Sequence, residues 1–401
     1  MLKRTFKAFE YPDFRLMWIG ACISSIGTWM QMVAQSWLVY EISGSSRLLG
    51  LDAFLGQIPI MLLSLVGGVV ADRWERRHIL IASQVVQLTC AFTLSALVAT
   101  HVVQVWHILT LSFIVGLAQA FGGPAYQALI PTLVQSEDLP NAIALNSIQF
   151  NLARVIGPVL GGLALAKLGA AWCFGLNGLS YIAVIITLIL VRSAYKRSDV
   201  KETMLESMKQ GIQFIRQQQS MVALIALAFL LTALGVPVVT FLPVFVKNIF
   251  AQGPDTYTLL LSVSGAGSVV GALVVATFGH SQHKGLITLV GIAVLGVFVA
   301  GFSHSTLLWL SCIFLFLASM ALVSVFALIS SLVQLIATDQ MRGRVMSVYN
   351  VAFRGGMPIG NYIGGEMIER VTAPPVIAAN GILLMLTACY FYLVHKKVAK
   401  L

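Results

Sequence analysis

The chain has 401 residues, 58% of them hydrophobic and only 10% charged, with a formal net charge of +10. A soluble domain carries about 25% charged residues, so two ordinary soluble domains are excluded, because too few charges remain to cover their surfaces. The positive charges sit in short segments between apolar runs, which makes them a topology signal and argues against a nucleic-acid partner.

Twelve apolar runs recur, at roughly 16–40, 48–71, 79–100, 105–131, 139–166, 169–192, 222–246, 256–279, 286–302, 306–337, 345–369 and 373–394. A span needs about 20 apolar residues to cross a hydrocarbon core about 30 Å thick. Lipid offers no partner for exposed backbone amides, so each run is expected to be a helix. The longest gap divides the spans six and six. The expected fold is an all-α membrane protein with an N-terminal six-helix bundle (1–192), a cytoplasmic linker (193–221) and a C-terminal six-helix bundle (222–401).

The basic start (Lys3, Arg4, Lys7, Arg15) leads straight into the first span, so no cleavable signal peptide is expected. Span 1 carries Ser24, Thr28, Gln31 and Gln35 at helical spacing. Span 2 carries Asp52, with Gly56 and Pro59 following on the same face. Asp52 is either a buried proton carrier, its pKa raised by burial, or an exposed acid welcomed by the helix dipole. Gly67 and Gly68 are expected to end span 2, before the short loop Asp72-Arg73-Trp74-Glu75-Arg76-Arg77. Three cations there satisfy the positive-inside rule, but Asp72 needs another reason. A carboxylate there suits the N-terminal end of another span, and span 11 begins with Met341-Arg342-Gly343-Arg344.

Span 4 shows Ser112, Gly116, Gln119, Gly123 and Gln127; span 10 shows Ser324, Ser331 and Gln334. Such stripes turn away from lipid, toward a wet cavity or toward other helices. Small residues in span 8 (Ser264, Gly267, Ser268, Gly271) allow close helix approach. In the linker, Leu205, Met208, Ile212 and Ile215 recur at helical spacing among Lys201, Lys209 and Arg216, which predicts an amphipathic surface helix. The five cysteines all fall inside spans and read as buried free thiols, with no disulfide, metal site or cofactor indicated.

Arg154 in RVIGPVLGG and Arg354 in RGGMPIGNYIGG both open an Arg-x-x-x-Pro motif, 200 residues apart. That spacing is what a duplicated six-helix half leaves, a known transporter architecture with substrate between the halves. A central arginine costs at least about 2.5–3.5 kcal/mol on insertion scales, so both should face protein or a wet cavity. With Asn151 and Asn350 beside them they form an anion-binding or gating pair, or else packing elements. Gly157, Pro158, Gly161 and Gly162 are expected to pack at the interface between halves.

Of the 25 Lys and Arg, nineteen fall on one side of this layout and four on the other, with Arg154 and Arg354 inside. The positive-inside rule then places both termini in the cytoplasm.

The chain resembles the major facilitator superfamily of transporters. Gly68-x-x-Ala71-Asp72-Arg73-x-x-Arg76-Arg77 is similar to that superfamily's signature between spans 2 and 3, with Glu75 where glycine is usual. The resemblance implies a cytoplasmic lock at Asp72 and Arg73 that stabilises the outward-facing state. Ala144, Ala153, Gly157-Pro158 and Gly161-Gly162 resemble the span 5 motif of proton-linked exporters, with alanine at the first two positions. Asp13-Phe14-Arg15-Leu16-x-Trp18, Asn141-Ala142 and Arg342-Gly-Arg-Val-Met-Ser347 resemble the bacterial branch of enterobactin exporters and macrolide-efflux-like proteins. The expected function is proton-coupled export of small amphipathic molecules by a monomer in the bacterial cytoplasmic (inner) membrane, among its lipids. A lysophospholipid transporter is the alternative; a membrane-embedded lipid enzyme lacks any Ser–His or acidic constellation.

Overall fold

The structure, a computed structural model, describes residues 6–191, 204–278, 283–338, 340–394, 396–399 and 401. Lys3 and Arg4, linker residues 193–203 with Lys201, and the side chain of Leu205 lie outside the described residues.

Helices α1 (Pro12–Ser43), α2 (Ser46–Arg73), α3 (Arg76–Ala99), α4 (Val105–Leu129), α5 (Leu139–Leu168) and α6 (Ala170–Leu190) follow the first six apolar runs. The amphipathic helix is α7 (Met204–Gln217). The seventh run holds α8 (Gln219–Gly235), α9 (Pro237–Thr240) and α10 (Leu242–Asn248). There follow α11 (Pro254–Phe278), α12 (Lys284–His304), α13 (Leu308–Ile336), α14 (Arg342–Val371) and α15 (Ala373–Leu393), with a last short helix at Lys396–Ala399. Among the described residues eleven helical segments are long and apolar enough to cross a membrane. Helix α14 is also long enough at 30 residues, but Arg342, Arg344, Asn350, Arg354, Asn361 and Glu366 make it the most polar of the set. The protein is an all-α, multi-pass membrane protein.

Several boundaries follow from local chemistry. Pro12 opens α1, where a missing N–H costs nothing, and Asp13 suits the positive end of the helix. Gly44 (φ +62°) makes the sharp α1–α2 turn and Gly169 (φ +86°) closes α5, both in the left-handed region that glycine tolerates. Three expectations fail. Gly67 and Gly68 do not end span 2: α2 runs on to Arg73, and Gly67 instead lets α2 press against the backbone of Ala120 in α4. The seventh span is not one helix, because Pro237 and Pro243 each remove a backbone donor and restart it. Nor are all cysteines buried, since Cys389 is exposed on the apolar α15.

Residues cluster into two compact units, Met1–Ile42 with Leu55–Thr203, and Ser43–Phe54 with Met204–Leu401. Helix α2 is therefore shared, its first turns belonging to the second unit. In the first unit α3 packs on α4 and α6. In the second, α12 packs on α13 and α15, α11 on α13, and α14 on α8. Ser264 and Ser319 bond at 2.8 Å, and Gly267 and Gly271 admit the α13 backbone at Phe316 and Met320. Helix α7 joins the second unit: Gly211 lies against the Arg344 carbonyl and Ile215 is buried.

The segment before α1 is tied to the start of α5. Lys7 Nζ lies 2.8 Å from Asp138, Tyr11 donates to the same carboxylate at 2.8 Å, and the Ala8 amide donates to Asn141 Oδ1 at 2.9 Å. Trp18 Nε1 donates to the Leu145 carbonyl at 2.9 Å. The hydrogen bonds from Lys7 and Tyr11 hold the Asp138 carboxyl below the usual aspartate range, and Asp138 in turn raises the Lys7 ammonium. A depressed acid contributes stability above its unfolded pKa and loses it as pH falls through the folded value. The raised lysine contributes below its ordinary pKa and loses it as pH rises through the folded one. The clasp is therefore complete at neutral pH and opens from the acid side through Asp138. Asp138→Asn should lower the amide protection factors of residues 6–11 at pH 7 and make those factors indifferent to acidification, with the helices unchanged. Hydrogen exchange read by mass spectrometry checks this, and unchanged protection would contradict it.

Candidate functional site

The first unit contains a connected polar core. Asn177 on α6, fully buried, donates to Gln31 on α1 at 2.6 Å. Tyr181, one turn on, lies 3.2 Å from Thr28 and 3.3 Å from Gln87 Oε1 on α3. Gln119 on α4 donates to the same Gln87 oxygen at 3.0 Å, and Gln35 donates to Ser112 at 2.8 Å. Ser83 completes the chain by donating to the Ala118 carbonyl at 2.7 Å. Four helices are thus joined by neutral amides and hydroxyls. In a membrane each such bond contributes about 0.6 kcal/mol on average, and the network fixes register. Of the residues expected to line a cavity, Thr28, Gln31, Gln35 and Gln119 are half-buried within this network, while Ser24 is buried. Gln127 is exposed. Gln87, Asn177 and Tyr181, isolated polar groups in apolar runs, escaped the sequence reading.

The glycines after Arg154 also have a different partner from the one expected. A Cβ at Gly157 would strike Trp29 and the Ile26 carbonyl, and one at Gly161 would strike the Met30 backbone. Gly162 is buried and Pro158 half-buried. These residues let α5 cross α1 inside the first unit, rather than packing between halves. The reason is the missing side chains of Gly157 and Gly161 themselves, which let α5 come against Ile26, Trp29 and Met30 of α1.

Two exposed polar stripes remain. On α5, Ser147 and Asn151 are exposed and Arg154 is half-exposed, beside an apolar strip of Ile148, Leu152 and Leu163. On α14, Asn350 and Arg354 are exposed and Ser347 is half-exposed. Ser147, Arg154 and Pro158 recur as Ser347, Arg354 and Pro358, all at an offset of 200. Arg154 lies near the middle of its helix and Arg354 about 18 Å from the start of its own. Ser147, Asn151 and Ser347 bond only within their own helices. Neither guanidinium has a hydrogen-bond or ion-pair partner among the described residues.

At the arginine-rich end, the loop between α2 and α3 shrinks to Trp74-Glu75. Asp72 occupies the last turn of α2, half-exposed, 3.9 Å from Arg76. Arg76 also donates to the Ala128 carbonyl at 2.9 Å, and Arg77 to the Ile189 carbonyl at 2.7 Å. Both cations thus sit at the negative ends of α4 and α6 and staple the first unit. Arg342 donates to the Gln334 carbonyl at 3.3 Å, and Arg344 lies 3.5 Å from Met341 Sδ.

At the opposite end, the first turns of α2 dock on α14 within the second unit. Glu369 accepts the amides of Ser46 (2.8 Å) and Arg47 (3.3 Å), capping a helix 322 residues away in sequence. Glu366 lies 3.0 Å from Arg47, off the N–H axis, and 2.7 Å from Arg370. Gly50 and Gly365 admit backbone-to-backbone contact, Phe54 meets Tyr362 at 5.3 Å, and the fully buried Asn361 amide has no hydrogen-bond partner. Asp52 is 6% exposed in this segment. It is a buried acid and not an exposed helix-end one.

Against known proteins, a family model described as transmembrane secretion effector matches residues 3–400. The chain belongs to that family, within the major facilitator superfamily. Among its relatives are macrolide efflux protein A of Streptococcus pyogenes, 22% identical over 94% of each chain, and enterobactin exporter EntS of Shigella boydii, 26% identical over 96% of this chain and 92% of the other. Similar solved structures include a bacterial homologue of the human lysosomal transporter Spinster (TM-score 0.76, 14% identity, 96% of each chain). Another is the nucleoside transporter NupG (TM-score 0.75, 12% identity, 96% of this chain and 99% of that one). These two carry the fold. The protein is a transporter, not an enzyme.

The α1–α5 crossing provides a direct check on the packing. Gly157→Leu should lower the melting temperature of the detergent-solubilised protein by several degrees, since overpacking costs about 1–3 kcal/mol. An unchanged melting temperature would show that the crossing is looser than the Trp29 contact implies.

Proposed function

We propose that the chain is a secondary transporter that exports small amphipathic molecules across the bacterial cytoplasmic membrane by proton-coupled alternating access. Both termini lie in the cytoplasm. The observation that carries this reading is the pair of repeat-related polar stripes at Ser147–Arg154 and Ser347–Arg354, one in each unit, exposed at mid-helix where lipid-facing residues would be apolar. Relatives named for efflux and export support the direction, and nineteen basic residues on one side of the layout support the orientation. Residues 1–192 and 222–401 act as the two moving bundles, joined through 193–221.

Asp72 and Arg73 with Arg342 and Arg344 form the cytoplasmic lock. The Glu366/Glu369 clasp on Arg47 and Ser46 is its external counterpart, released as the external side opens. Asp52, buried beside that clasp in sequence, carries the proton. A lipid-type substrate stays open as a second reading, because Ile148 and Leu152 set an acyl-compatible strip next to the α5 polar stripe.

Two variants separate the parts, both measured in proteoliposomes with an imposed pH gradient. Asp72→Asn should express normally and lose most transport, since about 1.4 kcal/mol taken from one state changes a population ratio tenfold. Full transport would sink the lock. Asp52→Asn should retain substrate binding while flux becomes insensitive to the pH gradient. Undiminished pH-driven flux would remove Asp52 from coupling.

A further inference from the structure

The exposed arginines constrain what is carried. Acidic side chains near the membrane segments are engaged elsewhere: Glu366 with Arg47 and Arg370, Glu369 with the α2 amides, Asp72 with Arg76. No described carboxylate pairs with Arg154 or Arg354. The α14 stripe offers only neutral neighbours to the Arg354 guanidinium, Asn350 and Ser347, and the Ser347 hydroxyl is spent on the Gly343 carbonyl. The α5 stripe repeats this, with Ser147 and Asn151 turned onto their own helix. A guanidinium at mid-helix with five donors and no anion is a site awaiting one. The neutral core of the first unit cannot serve, because its amides and hydroxyls already satisfy one another.

We infer that the transported molecule carries an anionic group, a carboxylate or phosphate. Arg354 binds it by the planar two-donor face of its guanidinium, with Asn350 as a neutral second donor. Arg154 supplies the same chemistry on the first unit. The inference rests on the exporter reading but concerns charge, so binding tests it without flux.

The probe is an amphipathic aryl carboxylate and its uncharged primary amide, added to the full-length protein in detergent, with lysophosphatidylglycerol as a third ligand. Wild type should bind the carboxylate at least tenfold tighter than the amide. Arg354→Gln should lose that tenfold and leave amide affinity and melting temperature unchanged. Arg354→Lys should restore part of it, since the charge stays but the fork does not. Retained amide binding shows that the variant is folded. Arg354 dependence for the lysolipid alone would keep the anionic chemistry and place it in a lipid headgroup. Equal affinity for acid and amide in wild type, or an equal loss of both in Arg354→Gln, would overturn the inference. Anion selectivity without any flux in proteoliposomes would count against export alone.

Discussion

A membrane offers polar side chains almost nothing, and this cost organises the whole chain. Every polar group in a span must find a partner, reach water, or weaken the fold. The structure sorts them accordingly. Asn177, Tyr181, Gln87, Gln119 and Gln31 partner one another across four helices and hold the first unit in register. Arg76 and Arg77 settle onto the carbonyl ends of α4 and α6. After that sorting, the exposed side chains of Arg354 and Asn350 and the half-exposed Arg154 are without a partner among the described residues, and the buried Asn361 amide is also left unsatisfied.

Helix α2 is divided between the two units. Its first turns are docked on α14 through Glu366, Glu369 and the Gly50–Gly365 crossing, while from Leu55 on it belongs to the first unit and ends at Asp72. The buried Asn361 amide, without a hydrogen-bond partner among the described residues, lies at the docked end and costs about 1–3 kcal/mol. Ion pairs and tight glycine contacts offset it, so the docked end is held by a balance of modest terms.

Much of this was legible in the residues, for identifiable reasons. Hydropathy alone located the spans, because a 30 Å core demands long apolar helices. The repeat surfaced through Arg154 and Arg354, since arginine at mid-span is rare enough to stand out. Ser347 stood out beside Asn350 and Arg354, but its repeat mate Ser147, at the same offset, is too ordinary to be noticed without a helix face to place it on. The Glu369–Ser46 cap spans 323 residues and leaves no local signal. Gly157 and Gly161 announced close packing, but nothing in a glycine names its partner, and α1 proved to be the neighbour. The break in the seventh span could have been read from Pro237 and Pro243, whose restarts were overlooked beneath a continuous apolar pattern.

The central claim is that the α5 and α14 stripes face water while their neighbours face lipid. Single cysteines placed along both helices, in a background without the native five, and treated in native membranes with a membrane-impermeant thiol reagent, test it most directly. The account predicts labelling at positions 147, 151, 347 and 350, protection by an anionic substrate, and none at 148, 152 or 163. Uniform labelling, or none at the polar positions in any condition, would contradict it.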